Sequence, residues 1–130
     1  MTAPLVVVNP PALGAPRGFA HGLIAAAGRT LYVAGQIGTD AEDNDFIGQF
    51  DRALERVLIV VTAAGGRAEQ IARMTVYVTS MERYRDGRAA LRDVWLRHMG
   101  SHYPAMALVE VTALVDPKAS VEIEATAVLP

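Results

Sequence analysis

The sequence predicts an α+β fold in which a β-sheet carries two helices packed on one face. Two segments repeat their apolar residues at helical spacing, whereas the other apolar segments are short and the last of them alternates apolar with polar residues. The elements follow the order β-ββ-α-β-α-ββ. Because 130 residues are typical of one domain, we treat residues 1–130 as a single domain.

The N-terminal part of the chain predicts three strands. Leu5–Val8 is a short apolar strand, and a loop rich in proline and glycine follows it. Two longer apolar runs, Leu23–Ala27 and Thr30–Ile37, flank the two-residue turn Gly28–Arg29, a pattern typical of a β-hairpin. Gly35 lies inside the second run and indicates a bend or the close approach of another backbone segment.

The first helix is expected from Asp45 to Ala64, and the next strand from Ile71 to Thr79. Gly65–Gly66 is a strong signal for the end of the helix. The residues that predict its apolar face are Phe46, Phe50, Leu54, Val57, Leu58 and Val61.

The second helix is expected to begin after Ser80, a residue type that caps helix N-termini. Glu82 in the first turn favours the same start, because its charge complements the helix dipole. We expect the helix to continue through Gly87 to about Met99 and to end at Gly100.

Two strands close the chain, Ala105–Leu114 and Ala119–Leu129, with a turn at Asp116–Pro117. The final strand alternates apolar and polar residues. Glu122 and Glu124 therefore share one face of the sheet, roughly 7 Å apart along the strand.

Composition narrows the classes of function. With 12 basic and 14 acidic residues, the formal net charge of −2 argues against a nucleic-acid partner. The absence of cysteine excludes disulfides, thiol nucleophiles and cysteine-ligated metals. No phosphate-binding loop or dinucleotide motif is present, and no apolar run reaches the roughly 20 residues that span a bilayer. We therefore expect a cytoplasmic protein without a cofactor or a membrane partner.

Carboxylates are the first candidates for chemistry. Glu122 and Glu124 on one strand face are suited to act as an acid/base pair, and the alternative is a solvated or salt-bridged sheet face. Glu110 is expected on the neighbouring strand, either as a third carboxylate of this group or as a structural or interface residue.

Histidine and arginine give weaker signals. His21, in the loop before the expected hairpin, is either a general acid or base or a loop-packing residue. His98 and His102 have the i, i+4 spacing of a metal site, but Gly100 between them interrupts the helix, so no metal site is expected. The arginines of the second helix are interpreted as a solvated face; they are Arg83, Arg85, Arg88, Arg92 and Arg97.

The chain contains GRTLYVAGQI at 28–37, IARMTVYV at 71–78, and PAMALVEV at 104–111 followed by VEIEA at 121–125. These three parts together resemble the Rid (YjgF-type) family of imine and enamine deaminases. The resemblance implies a chorismate-mutase-like α+β fold. It also implies a homotrimer whose sheets form a central barrel, with small-molecule clefts between the subunits.

The resemblance also implies site residues, and this chain departs at several of them. Family deaminases clamp the substrate carboxylate with an arginine directly after Pro-Ala, a pairing that guanidinium geometry favours. Here Met106 follows Pro104-Ala105, and Ala34 stands at the serine of the family's Ser-Gly-Gln segment. Gly35, whose backbone N–H helps to hold the carboxylate in the family, is retained.

Glu122 matches the family glutamate that positions or activates water. His21 and Arg88 stand roughly where the family has a tyrosine and an asparagine lining the cleft, and Arg88 is a candidate to supply the missing cation. The residues expected to line the remaining walls are Tyr103, Met106, Ala107 and Trp95, with core packing as the alternative for Trp95.

Three functional hypotheses remain. The first is an enzyme acting on a small imine, enamine or related carbonyl-derived metabolite, less charged than a 2-imino acid, by hydrolysis, dehydration or cyclisation. The second is a non-catalytic trimer that binds a metabolite or a protein partner in the same clefts. The third is an endoribonuclease or translation inhibitor, an activity also attached to the family, and the acidic charge balance argues against it.

Overall fold

The computed structural model describes residues 5–42 and 45–130. These residues form six strands, three α-helices and two short 3₁₀ helices, and this mixed architecture confirms the predicted α+β class. The strands are β1 (Val6–Val8), β2 (Gly22–Ile24), β3 (Arg29–Gln36), β4 (Ile71–Val78), β5 (Ala105–Glu110) and β6 (Val121–Leu129). The α-helices are α1 (Phe46–Ala63), α2 (Met81–Asp86) and α3 (Arg88–Met99), and the 3₁₀ helices are Pro11–Leu13 and Ala68–Gln70.

The main sheet has four strands in the order β3-β6-β4-β5. β4 and β5 are parallel, and the other neighbours are antiparallel. Along β6 every second residue from Val121 to Leu129 is apolar and buried, and the residues between them, Glu122, Glu124, Thr126 and Val128, are half-buried, which confirms the predicted alternation. One face of the sheet therefore carries the core, and we call the opposite face, which carries Tyr77, Glu122 and Glu124, the outer face.

The helices cover the core face of the sheet. α1 packs across β3 and β6, and α3 packs beside α1. The Asp45 side chain accepts a hydrogen bond from the Gly48 backbone N–H at 2.7 Å and so begins α1 where the sequence predicts. No helix formed by residues 5–42 and 45–130 combines the length and apolar character needed to cross a membrane.

The predicted hairpin around Gly28–Arg29 is wrong. β2 pairs with β1 in a separate two-stranded sheet, whereas β3 pairs with β6. β6 has nine residues and offers β3 a longer ladder of hydrogen bonds than the three-residue β2. Gly28 lies against the backbone of Leu129, where a Cβ atom would collide with the carbonyl oxygen.

The single second helix expected from the sequence is divided at Gly87. The Ser80 side chain accepts a hydrogen bond from the Arg83 backbone N–H at 3.2 Å, as predicted, but α2 ends at Asp86. A Cβ atom on Gly87 would lie 2.7 Å from Cδ1 of Ile47 on α1. α1 therefore approaches Gly87 closely, and the low helix propensity of glycine favours a break in the helix at this residue. The division gives three α-helices instead of the expected two.

The closing strands are shorter than predicted and are not neighbours. The expected turn forms, because the Asp116 side chain accepts a hydrogen bond from the Lys118 N–H at 2.9 Å. However, β4 lies between β5 and β6, so the expectation that Glu110 lies beside the β6 glutamates is wrong. The Glu110 carboxylate instead accepts a hydrogen bond from the Met81 N–H at 2.7 Å, at the start of α2.

Candidate functional site

The candidate residues separate into two groups on opposite faces of the main sheet. Residues paired across neighbouring strands point to the same face. Met106 pairs with Met74, which is fully buried beneath the helices, so Met106 faces the helix side. Glu122 pairs with Tyr77 on the outer face. One chain therefore does not bring Met106 and Glu122 together.

The first group lies on the outer face and centres on a β-bulge. Between the Val33–Ala125 and Gln36–Ile123 pairs, β3 has one residue more than β6. Ala34 and Gly35 of β3 therefore lie opposite the single residue Glu124 of β6. A Cβ atom on Gly35 would lie 2.7 Å from Cδ of Glu122. The Glu122 carboxylate thus occupies the space that the missing side chain leaves. The sequence predicts a bend or a close backbone segment at Gly35; the strand is irregular here, and the group that approaches Gly35 is the Glu122 side chain.

Tyr77 pairs with Glu122 across the strands, and Glu124 lies on the same face. The Tyr77 hydroxyl donates a hydrogen bond to Oε2 of Glu124 at 3.3 Å. Partial burial is the main cause that raises the pKa of Tyr77. The charge and hydrogen bond of Glu124 and the charge of Glu122 raise it further. Tyr77 therefore keeps its proton at neutral pH. Ala107 lies on the same face, because both Ala107 and Glu124 pair with Thr75.

The second group lines a cleft of about 630 Å³ between α3, β5 and the N-terminal loop, which we call the helix-side cleft. It contains four predicted residues, Arg88, Trp95, Tyr103 and Met106. The Trp95 and Tyr103 rings stack in parallel, with centroids 5.6 Å apart and 5° between their planes. Trp95 Nε1 donates to the His102 carbonyl at 3.1 Å, which fixes the stack. Trp95 is thus a core residue that also contributes to the cleft.

Arginines surround the opening of the helix-side cleft. Arg17, Arg88 and Arg92 line it, and the Arg88 guanidinium lies over the Tyr84 ring, 5.8 Å from its centroid. In the described part of the chain, no acidic residue lines the cleft. The same part shows no carboxylate within ion-pair distance of these three arginines.

His21 is held within its own loop. Its backbone N–H donates to the Asn9 side chain at 2.8 Å, and its Nε2 lies 3.1 Å from the Gly14 carbonyl oxygen. Its ring also meets the Phe19 ring edge-on, with centroids 5.1 Å apart. Because a carbonyl oxygen only accepts, Nε2 is the nitrogen that donates in this contact.

The other two histidines have structural contacts. His98 Nε2 bonds Asp51 at 2.5 Å, and His102 Nε2 lies 2.7 Å from the Ile71 carbonyl oxygen. Gly100 has a positive φ of 61° and ends α3 between them, as predicted. Among residues 5–42 and 45–130, no group of three or more His, Asp or Glu side chains has the arrangement of a metal site.

Sequence reasoning missed two of the cleft arginines. The sequence indicates Arg92 only as part of the solvated face of its helix, and no motif in the N-terminal loop indicates a role for Arg17. The loop reaches the cleft because the Ala20 N–H donates to the Pro104 carbonyl at 3.1 Å and Ala20 bridges to Ala105. This contact joins residues far apart in the chain, so no local pattern indicates it.

Comparisons with known proteins agree with this architecture. A RutC family protein from Pyrococcus horikoshii is 32% identical over 107 residues, which cover 78% of this chain and 80% of the relative. A 2-iminobutanoate/2-iminopropanoate deaminase from Dermatophagoides farinae is 28% identical over 108 residues, covering 78% of this chain and 80% of that protein.

The solved structures give the same result. YyfB from Yersinia pestis, a protein of the conserved Rid family, superposes with a TM-score of 0.84 at 28% identity, covering 98% of this chain and all of that one. The family model described as Endoribonuclease L-PSP matches residues 11–129. The Rid resemblance is thus confirmed, and the chain belongs to the Endoribonuclease L-PSP family, the family of the YjgF and Rid proteins.

Proposed function

We propose that this protein is a cytoplasmic homotrimer that acts on a small reactive imine, enamine or related carbonyl-derived metabolite in clefts between its subunits. Family membership and the deaminase relative from Dermatophagoides farinae support this proposal. The proposed reaction is imine hydrolysis, which converts the C=N bond to a carbonyl and releases ammonia or an amine.

The position of the Glu122 carboxylate carries the proposal. It lies directly against Gly35 at the β3 bulge, where no side chain separates it from the strand backbone. A carboxylate next to an exposed glycine can reach a water molecule and a small substrate held at the same backbone. The expected roles are proton transfer for Glu122 and an oxygen-binding N–H for Gly35, with Ala34 and Ala107 as small wall residues.

The proposed chemistry balances with water as the only co-reactant. Glu122 accepts a proton from water as the water oxygen bonds to the carbon of the protonated imine and the C=N π electrons move to the nitrogen, which gives a neutral carbinolamine. Glu122 then returns that proton to the amine nitrogen. The C–N bond breaks as Glu122 takes the hydroxyl proton, and the products are the carbonyl compound and the neutral amine or ammonia. His21 is proposed as an auxiliary acid or base.

A neighbouring copy is proposed to complete the site. Glu122 and Gly35 lie on the outer face, whereas Arg88, Tyr103 and Met106 lie on the helix side. Both groups can contact one small substrate only if the outer face of one copy meets the helix-side cleft of another. This arrangement is the heterologous contact of a closed ring.

Met106 changes how a substrate carboxylate would be held. Met106 on β5 stands where the family has its clamp arginine, and it carries no charge. Loss of a charged partner in a buried site weakens the binding free energy by about 2–5 kcal/mol, so β5 cannot supply the family's clamp. Arg88 on α3 is the proposed replacement. The clamp's absence also favours a second candidate, a trimer that binds a metabolite or a partner without catalysis.

The test is imine hydrolysis by the purified protein. Amino acid oxidation supplies 2-imino acids, amine oxidation supplies imines without a carboxylate, and semicarbazide traps what survives. We expect Glu122→Gln to lower the rate by about 100-fold. Glu124→Gln is the matched control, because it makes the same change on the same strand face.

The outcomes separate the candidates. Hydrolysis that depends on Glu122 but not on Glu124 supports the enzyme. Faster loss of carboxylated imines that disappears in Arg88→Ala supports the replacement clamp. No acceleration of any imine would contradict the enzymatic proposal and leave the binding protein.

A further inference from the structure

We propose that the helix-side cleft binds an organic dianion with a flat apolar body, such as an aryl dicarboxylate or an aryl phosphate. This inference rests on the proposed function only in placing a ligand in the cleft, and it names the ligand's chemical class. Three properties of the cleft carry it: its charge, its flat aromatic surface and its size.

The charge of the cleft exceeds what one carboxylate requires. One guanidinium satisfies a carboxylate through two parallel hydrogen bonds. Arg17, Arg88 and Arg92 line this cleft, and within residues 5–42 and 45–130 no acidic side chain lines it with them. Three like charges around one opening repel each other, and a ligand with two negative charges relieves that repulsion.

The arginines on the neighbouring helix surface are arranged differently. Arg52 pairs with Asp40 at 3.1 Å, and Arg97 pairs with Asp51 at 2.9 Å. Arg88 instead rests on the face of Tyr84, which keeps its guanidinium at the cleft wall without neutralising it. The cleft thus retains its positive charge although the whole chain has a formal charge of −2.

The body of the ligand is inferred from the apolar and aromatic walls. Tyr103 is half-buried and is held parallel to the buried Trp95, while Met106 and Leu108 extend the apolar lining. Flat rings stack favourably on such surfaces. A saturated, fully polar dianion would leave this surface unused.

The size of the cleft excludes a very small ligand as its full occupant. Its volume of about 630 Å³ lies within the roughly 300–1,000 Å³ of small-molecule sites. Since a water-sized group occupies about 30 Å³, the cleft has a larger volume than a three-carbon imino acid would fill. Met106 alone indicates a substrate with less negative charge. The proposed ligand carries more, because the N-terminal loop and α3 supply the positive charge of the cleft.

The experiment is calorimetric titration of the full-length protein with isophthalate, phenyl phosphate, benzoate, benzyl alcohol and glutarate. We expect at least one aryl dianion to bind about tenfold or more tightly than benzoate, because it engages further charge-assisted hydrogen bonds. Glutarate has two charges but no ring, and is expected to bind about tenfold more weakly than the preferred aryl dianion. A preference for isophthalate identifies a dicarboxylate, and a preference for phenyl phosphate identifies a phosphate ester.

Variants localise the binding. Arg17→Gln and Arg92→Gln should each weaken binding of the aryl dianion by about fivefold or more. Arg85→Gln is the matched control: it removes the same charge from exposed α2, outside the cleft, and should change the affinity less than about twofold. The inference is overturned if benzoate and both aryl dianions bind equally, or if Arg85→Gln weakens binding as much as Arg92→Gln.

The same titration in Glu122→Gln separates this inference from the proposed function. In the proposed trimer Glu122 of a neighbouring copy borders the cleft, and Glu122→Gln removes a negative charge, so dianion binding should persist or become tighter in that variant. If no imine is hydrolysed but arginine-dependent binding is observed, only the proposed function fails. If imines are hydrolysed but neither aryl dianion is preferred, only this inference fails.

Discussion

The contact between Gly35 and Glu122 determines where the candidate carboxylate lies. The β3 bulge turns Gly35 towards β6, and the Glu122 side chain fills the space beside its Cα. Any larger residue at position 35 would have to displace the carboxylate, which is the flexible end of a side chain. The fold therefore tolerates a substitution that the proposed chemistry does not.

We predict that Gly35→Ala separates stability from activity. The new Cβ would lie 2.7 Å from Cδ of Glu122, so the carboxylate must move. A displacement of about 1 Å can lower a rate about 100-fold, whereas the unfolding free energy should fall by less than about 1 kcal/mol. Imine turnover and urea denaturation measure the two effects.

Gly22→Ala is the control for this prediction. Its Cβ would meet Val8 at 3.7 Å, an ordinary contact, so its turnover should stay near wild type. Equal activity in Gly35→Ala and the wild type would show that the position of Glu122 is not critical.

At this scale the sequence indicates some functional residues but not others. The glycine within a strand predicts an irregularity at Gly35, and the alternation of β6 predicts the shared face of Glu122 and Glu124, but neither pattern predicts that Glu122 contacts Gly35. Arg17 and Arg92 cannot be predicted, because their role depends on the N-terminal loop docking at Pro104 and on the rotation of α3. Both features arise from contacts between distant parts of the chain.

At the scale of elements, a polar contact joins α1 to α3. Asp51 on α1 bonds His98 and Arg97 on α3, with Arg97 Nη1 2.9 Å from Asp51 Oδ2. Burial alone would raise the pKa of Asp51, but the hydrogen bonds and charges of His98 and Arg97 outweigh it and lower that pKa. The ionised carboxylate therefore stabilises the folded chain.

We predict that this contribution depends on pH. Because the folded-state pKa lies below the unfolded value of about 3.9, the stabilisation is fully present above about pH 5 and is lost as the pH falls through the folded-state pKa. Asp51→Asn should lower the unfolding free energy at pH 7 by about 1 kcal/mol. The difference from wild type should shrink as the pH approaches 3.

Urea denaturation at pH 7, 5 and 3 measures this difference. Asp93→Asn is the control, because Asp93 is exposed on α3 and shows no ion pair within the described residues. A difference between wild type and Asp51→Asn that stays constant from pH 7 to 3 would contradict the assigned role.

The elements themselves were largely predictable, but their partners were less so. Apolar spacing and the Asp45 cap locate α1 closely, and Ser80 locates the start of α2. The pairing of β3 with β6 depends on a strand almost a hundred residues away, and Gly87, where the helix divides, lies against Ile47 of α1. The spacing of apolar residues within one segment predicts neither of these contacts.

At the scale of the whole molecule, the two groups of candidate residues face in opposite directions. The Glu122 carboxylate and Gly35 belong to the outer face, and the helix-side cleft lies beneath α3. A closed ring of copies, the homotrimer expected from the resemblance, can place the outer face of one copy against the cleft of the next. The central claim is therefore that each site draws residues from two copies.

Mixing two inactive variants tests this claim most directly. Glu122→Gln disables the outer-face group, and Met106→Trp fills the helix-side cleft. Circular dichroism checks that each variant folds, and light scattering checks for a mass of three times 13.9 kDa.

The two variants are unfolded and refolded together in equal amounts. Random assembly should then give about a quarter of the sites both an intact Glu122 from one copy and an unfilled cleft from the next. We predict that imine hydrolysis recovers to about that fraction of the wild-type rate. Mixed trimers that remain as inactive as the separate variants would contradict a site shared between copies.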